Sequence, residues 1–211
     1  MSVEFEESFV EKHNVNNFND RVKNELKNSN WDNMDMTILA TLVHPKSRGT
    51  IRLKSKDPFD YPLIDPHYLE ENVDIQVFIE AIRLCQKFGK TDAYKKIGAI
   101  ELMPSTYTSV CNDLPLDSDQ YWECLLRNLA NTVYHPTSTC RMGAVDDPSA
   151  VVDPQLRVKG ISGLRVVDAS VMRNVPSGNT NAPAIMIGEK ASDMIRAKDT
   201  VADIREKARH L

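Results

Sequence analysis

With 211 residues the chain has enough material to bury a sizeable core, as one large domain or two small ones. Its 26 Lys and Arg against 30 Asp and Glu leave a net charge of -4, so it lacks the basic stripe with which a nucleic-acid binder neutralises phosphates. No apolar run reaches the length of a membrane helix, and the acidic start MSVEFEESFVEKHN carries no apolar h-region, so neither a helical span nor a secretory signal is expected within this sequence.

Residues 1–35 are polar and Asn-rich, with short helical hints around Glu6 to Glu11 and Asp20 to Leu26, and read as a solvated lead-in. Met36 to Val43 (MTILATLV) is a β-rich apolar run. Turn chemistry follows from His44 to Gly49, and Thr50 to Lys54 alternates apolar and polar, so the three together predict a β-hairpin. Asp57 to Leu69 contains Pro58, Pro62 and Pro66 and is expected to cross the surface as an extended connection. From Asn72 to Phe88 the apolar residues Ile75, Phe78, Ile79, Ile82 and Cys85 recur at helical spacing, with Gly89 as the stop. Gly98 to Leu102 is a short strand candidate.

Ser118 is placed to cap a helix running to about Asn131, with Trp122, Leu125, Leu126 and Leu129 on one face. Val151 to Asp168 reads as two short strands about a turn at Gly160 and Gly163, Leu164 to Val167 being the more buried. Asn181 is the expected cap of the last long helix, and Pro183 fits its first turn, where no amide proton is required. The first half of that helix (Ala184, Ile185, Met186, Ile187, Gly188, Ala191) is apolar nearly all round, which predicts burial. The tail from residue 199 is charged and expected to be solvated.

Cys85, Cys111, Cys124 and Cys140 form no CxxC pair, and no HExxH spacing occurs, so no metal site is expected. Cys85 and Cys124 fall on apolar helix faces and read as buried free thiols, with room left for one bridge.

Three places carry side chains suited to chemistry. His135 stands before Pro136, which drives it towards extended geometry, and is followed by the hydroxyls of Thr137, Ser138 and Thr139. A histidine beside a proline is more often structural than a base, yet an imidazole exchanges protons near neutrality. Asp168 ends an apolar strand, where a carboxylate either caps the next segment or faces a ligand beyond the strand's end. Ser177-Gly178-Asn179-Thr180-Asn181 is amide-rich and leads into an apolar helix, whose free N–H groups and dipole suit a developing anion.

These segments carry a resemblance. HPTSTCRMG, VVDPQLRVKGISGLRVVDAS and NTNAPAIMIGEKASDMI, in that order, resemble the C-terminal signature of the glucose–methanol–choline (GMC) flavin oxidoreductases, most of all the insect glucose-dehydrogenase-like branch. LVHPKSRGTIRLKSKDPFDYPLIDPHYL is similar to the substrate-domain hairpin of that branch. The resemblance implies FAD as cofactor and a small alcohol or sugar as substrate. It also implies His135 as the catalytic histidine and Asn179 as the second active-site residue. Tyr134, Asp168, Ala169, Thr180, Asn181 and Pro183 would be the positions along the cofactor.

It implies an α+β fold, with 36–133 as the substrate-binding part, 134–198 completing the cofactor and catalytic region, and 199–211 as the tail. Members of the family are often secreted, and the electron acceptor stays open among oxygen, quinone and other acceptors.

One departure accompanies the match. None of the eight glycines forms the GxGxxG turn that lets backbone approach a dinucleotide diphosphate, so the N-terminal Rossmann-type unit is expected to be absent. The chain therefore reads as the catalytic half of an enzyme that needs its N-terminal half. The alternative is a short non-catalytic homologue that binds a partner or small ligand.

Overall fold

The computed structural model describes residues 38–101, 103–106 and 108–196, together with Asn24. The lead-in, the start of the first expected strand, Leu102 and the tail beyond Arg196 lie outside the described residues. The chain divides into two compact units, one up to Thr132 and one from Val133. The described part is a small α+β structure, rich in loops.

In the first unit β1 (Thr50–Arg52) pairs antiparallel with β2 (Leu63–Asp65), in the register Thr50 to Asp65, Ile51 to Ile64 and Arg52 to Leu63. The hairpin therefore forms, but with a different partner from the one expected: residues 38–43 carry no strand, and the proline-bearing segment supplies β2. Pro62 and Pro66 flank the Leu-Ile-Asp triplet without interrupting it, and in a two-stranded sheet each strand is an edge that tolerates them. Gly49 permits the strands to meet. A Cβ there would lie 2.2 Å from the Asp65 carbonyl oxygen and 2.4 Å from the Pro66 Cα.

The loop before β1 is fastened by a side chain. Asp74 accepts the Lys46 and Ser47 amide protons, each at 2.8 Å, and the Ser47 hydroxyl at 2.5 Å. The same hydroxyl oxygen accepts the Glu71 N–H at 3.1 Å.

Asp74 belongs to the first turn of α1 (Asn72–Gly89), which buries Ile75 and Ile79, two of the five residues its spacing predicts, with Phe78 and Ile82 packed partly buried against the same core. Gly89 is its last helical residue, with Lys90 as the C-cap. A short α2 (Asp92–Lys96) follows, and Gly98, at φ +71°, closes it: the Gly98 N–H reaches the Lys95 carbonyl at 3.0 Å and the Ala99 N–H reaches Tyr94 at 3.1 Å. Those closing bonds occupy the residues expected to start a strand at Gly98, and 98–101 is irregular.

After a 3-10 turn at Pro104–Thr106, α3 (Asp119–Leu129) begins where Ser118 accepts the Tyr121 N–H at 3.1 Å, as a cap should. Its Tyr121, Trp122 and Leu125 pack with Ile75, Ile79 and Val110 in the core of this unit. Cys124 is not a free thiol: it forms a disulfide with Cys111, whereas Cys85 and Cys140 are free and half-buried.

In the second unit the two strands expected between Val151 and Asp168 reduce to single bridges, Val152 to Val158 and Arg157 to Arg165, with a parallel bridge from Met142 to Val152. The Asp153 carboxylate replaces the ladder by accepting the Gln155 and Arg157 amide protons at 2.8 and 3.0 Å, and Pro154 can donate none. Val152, Leu156, Val171, Ile187 and Ala191 form the core. Val166 and Val167 pack against it, while Leu164 faces outward.

After a 3-10 turn at Ala169–Val171 comes α4 (Asn181–Ile195). Its N-cap is Thr180, one residue before the one expected, with Asn181 first in the helix and Pro183 in the first turn. The helix buries Ile187 and Ala191 but leaves Ile185 59 % and Met186 58 % exposed, so the predicted all-round burial does not hold: the core of this unit covers one face.

Candidate active site

His135 lies in an irregular segment between two non-glycine residues with left-handed backbone, Tyr134 at φ +61° and Ser138 at φ +75°. Such conformations cost energy outside glycine and persist only where the surroundings hold them. The imidazole is half-buried, and its Nδ1 lies 2.9 Å from the Thr180 hydroxyl. The Thr180 amide N–H points at the same nitrogen from 3.5 Å. Thr180 is the N-cap of α4, yet its side chain makes no capping bond; its hydroxyl is turned to the imidazole instead.

Asn179, directly before Thr180, is exposed, as are Gly178 and Asn181. A Cβ on Gly178 would meet nothing within 4 Å, and no acidic residue occupies the first turn of α4. This helix start therefore offers amide N–H groups with no side-chain cap and no carboxylate beside them, an environment suited to negative charge. Tyr134 is 66 % exposed, and Pro183 is half-buried in the first turn of α4.

Of the residues singled out from sequence, His135 and Thr180 are thus in contact, and Asn179 and Asn181 flank that contact along the chain. Asp168 and Ala169 stand at the entry to a 3-10 turn. The exposed Asp168 carboxylate accepts the Ser170 N–H at 2.7 Å and caps the 3-10 turn that Ala169 begins. No described hydrogen bond joins Asp168 to the His135–Thr180 pair.

A clamp just after the histidine escaped sequence reading. Arg173 donates through Nη1 to the Met142 carbonyl at 3.0 Å and to Asp147 at 2.7 Å. The Ser149 hydroxyl and amide, followed by Arg173, hold the Asp147 carboxyl well below the usual carboxylate range. Gly143 sits inside this clamp, where a Cβ would come within 2.7 Å of the Ala150 Cβ and of Arg173 Nη1. Only the glycine hinted at so close an approach.

An open hollow of about 580 Å³ lies elsewhere in this unit, lined by Asp153, Arg157, Lys159 and the 160–163 turn, and includes neither His135 nor Asn179. Among the described residues no cluster of His, Cys, Asp and Glu is placed to hold a metal, and no helix is long and apolar enough to cross a membrane.

A family model described as GMC oxidoreductase, covering the C-terminal domain of those proteins, matches residues 45–188. The chain belongs to the GMC oxidoreductase family. It is 39% identical over 159 residues to the glucose dehydrogenase [FAD, quinone] of Drosophila pseudoobscura pseudoobscura, a match covering 75% of this chain and 25% of the relative. It is 42% identical over 160 residues to the alcohol dehydrogenase [acceptor] of Pseudomonas putida, covering 76% and 27%. A solved structure of formate oxidase from Aspergillus oryzae RIB40, concerned with FAD modification, superposes with a TM-score of 0.64 at 34% identity and covers 74% of this chain and 26% of that one. The chain thus spans about a quarter of the length of the relatives it matches.

Proposed function

We propose that this chain is the C-terminal catalytic portion of an FAD-dependent oxidoreductase that oxidises a CH–OH group of an alcohol or sugar. In this reading residues 36–133 face the substrate, 134–198 complete the flavin site, and the N-terminal part of such an enzyme supplies the glycine turn for the dinucleotide. The observation that carries it is the His135 imidazole held at Nδ1 by Thr180 at the uncapped start of α4.

The residues present fit the isoalloxazine end of FAD. A helix start with no side-chain cap and no first-turn acid suits the ring edge that gathers negative charge on reduction. Tyr134, Asp168, Ala169, Thr180, Asn181 and Pro183 are the residues that would line the cofactor. When bound, the flavin supplies the hydride acceptor. The protein handles the proton: with Nδ1 engaged, Nε2 of His135 takes the substrate hydroxyl proton while the Asn179 carboxamide donates a hydrogen bond to the same oxygen. General-base assistance of this kind contributes on the order of a hundred- to ten-thousand-fold in rate.

The test is anaerobic bleaching of the flavin by an alcohol or sugar in the full-length enzyme that carries this segment. His135→Ala should slow bleaching by a factor of that order, about a hundred or more. An unchanged rate removes His135 from the mechanism. FAD titration of the 211-residue chain should show no tight binding. Tight binding would contradict both the need for an N-terminal half and the alternative of a non-catalytic module.

A further inference from the structure

We propose that the tip of the β1–β2 hairpin is a contact site for an anionic lipid surface. The inference goes beyond the proposed oxidation and does not depend on His135. Leu53, Phe59 and Tyr61 are 85, 91 and 89 % exposed, the three highest values among the large apolar side chains described. All three fall in the 53–62 connection between the two strands. The hairpin behind them is open on both faces. Directly paired residues of neighbouring strands share a face, so Ile51 and Ile64 stand on one and Leu63 beside Arg52 on the other, all exposed. Apolar side chains on both faces and at the end make a prong. A flat partner covers one face of it, whereas headgroups and acyl chains close round it from every side.

Charge selects the medium. From Ile38 to Lys56 the sequence holds no carboxylate and five cations, Lys46, Arg48, Arg52, Lys54 and Lys56, in a chain whose net charge is -4. Arg48 turns back to the Pro45 and Ser47 carbonyls. Arg52, Lys54 and Lys56, the three nearest the tip, are exposed and enter no described ion pair. An apolar seam between protein parts would bury these charges without partners, which is costly. At an anionic bilayer they meet phosphate and carboxylate headgroups, while Leu53, Phe59 and Tyr61 reach the acyl boundary, where aromatic rings are at home.

Two acids share the tip, and both bond within it. Asp57 accepts the Phe59 N–H at 2.9 Å, and Asp60 accepts the Ser55 hydroxyl proton at 2.6 Å. The Ser55 hydroxyl oxygen takes the Asp57 N–H at 2.9 Å, and the Asp60 N–H reaches the Asp57 carbonyl at 3.2 Å. The turn that holds the aromatic side chains outward is thus built before any contact, which lowers the ordering cost of binding. Arg52, Lys54 and Lys56 outnumber the two acids by one. Charge therefore biases the choice of lipid, and apolar contact carries most of the affinity.

The experiment is flotation of the 211-residue chain with vesicles of phosphatidylcholine, alone or mixed with phosphatidylserine. The chain should rise with the mixed vesicles, and less so in high salt, because screening weakens attraction between surface charges. Phe59→Ser with Tyr61→Ser should weaken partitioning about tenfold or more, the weight of burying one aromatic side chain. Lys54→Gln with Lys56→Gln should weaken it about fivefold per charge on the mixed vesicles. All four positions are exposed, so the unfolding midpoint should hold in both variants. Emission from Phe59→Trp should shift to the blue with vesicles and be quenched by brominated acyl chains. Absence of flotation, or flotation unchanged in the double serine variant, overturns the proposal. Equal flotation with neutral and mixed vesicles overturns the anionic surface. A Phe59→Trp emission that ignores vesicles but shifts with protein concentration assigns the tip to a second copy and overturns the lipid contact.

Discussion

Asp74 is 2 % exposed in the first turn of α1 and takes three hydrogen bonds from Lys46 and Ser47. Burial pushes its carboxyl up, but the Ser47 hydroxyl, the Lys46 and Ser47 amides and the charge of Arg48 outweigh it, so the net shift is downward. A carboxyl that is more acidic folded than unfolded stabilises the fold above its unfolded value, about 3.9, and loses that contribution as pH falls through its folded value. Asp74→Asn should therefore cost about 1.5 to 3 kcal/mol of stability near neutral pH, the range for hydrogen bonds to a charged group. It should also flatten part of the loss below about pH 4. Urea denaturation as a function of pH checks both. An unchanged acid limb would remove Asp74 from the acid response.

The chemistry-bearing residues were legible one at a time. His135 stood out through Pro136 and the hydroxyls behind it, and the amide-rich run stood out by composition. Their meeting did not, because no local spacing relates residues 45 positions apart. Asp168 was legible as a cap or a ligand group, and its carboxylate accepts the Ser170 N–H.

Among the elements, α1 and α3 could be read because their apolar spacing runs for several turns and Ser118 announces α3, and α4 because Pro183 opens an apolar run. Of the strands, β1 was read from its alternation but β2 was not, because three exposed residues between two prolines leave no pattern to read. In the second unit Asp153 takes over amides that a strand would have paired, and composition does not foretell that exchange. The Cys111–Cys124 bridge was equally hidden: Cys124 lies on an apolar helix face like a free thiol, and its partner is in a loop at φ +69°. The bridge closes a short loop, with a sequence separation of 13. Closing a loop of that size stabilises by about 3 kcal/mol in the chain-entropy account. Cys111→Ala with Cys124→Ala should lower the unfolding free energy of the first unit by about that amount, as should dithiothreitol on the wild-type chain. A midpoint in urea insensitive to both would show that the buried cluster around Tyr121 and Ile75 is enough without the bridge.

For the molecule as a whole, the telling surface is the outer face of α4. Ile185 and Met186 project from it more than half exposed, although the same helix buries Ile187 and Ala191. Scattered exposed apolar side chains are ordinary, but these are consecutive residues in the helix that also begins at Thr180. Left to water in the 211-residue chain, that face is open to a second copy. The chain should then self-associate with rising concentration, by light scattering, and bind a hydrophobic dye. Ile185→Glu with Met186→Glu should suppress both. Glutamate is a good helix former, and substitutions at exposed positions change stability by roughly 0.5 kcal/mol or less, so the unfolding midpoint should hold. If the midpoint instead falls by several times that amount, the two side chains are packed within this unit and the face is not a docking surface. If the midpoint holds while association persists, the contact between copies lies elsewhere on the chain.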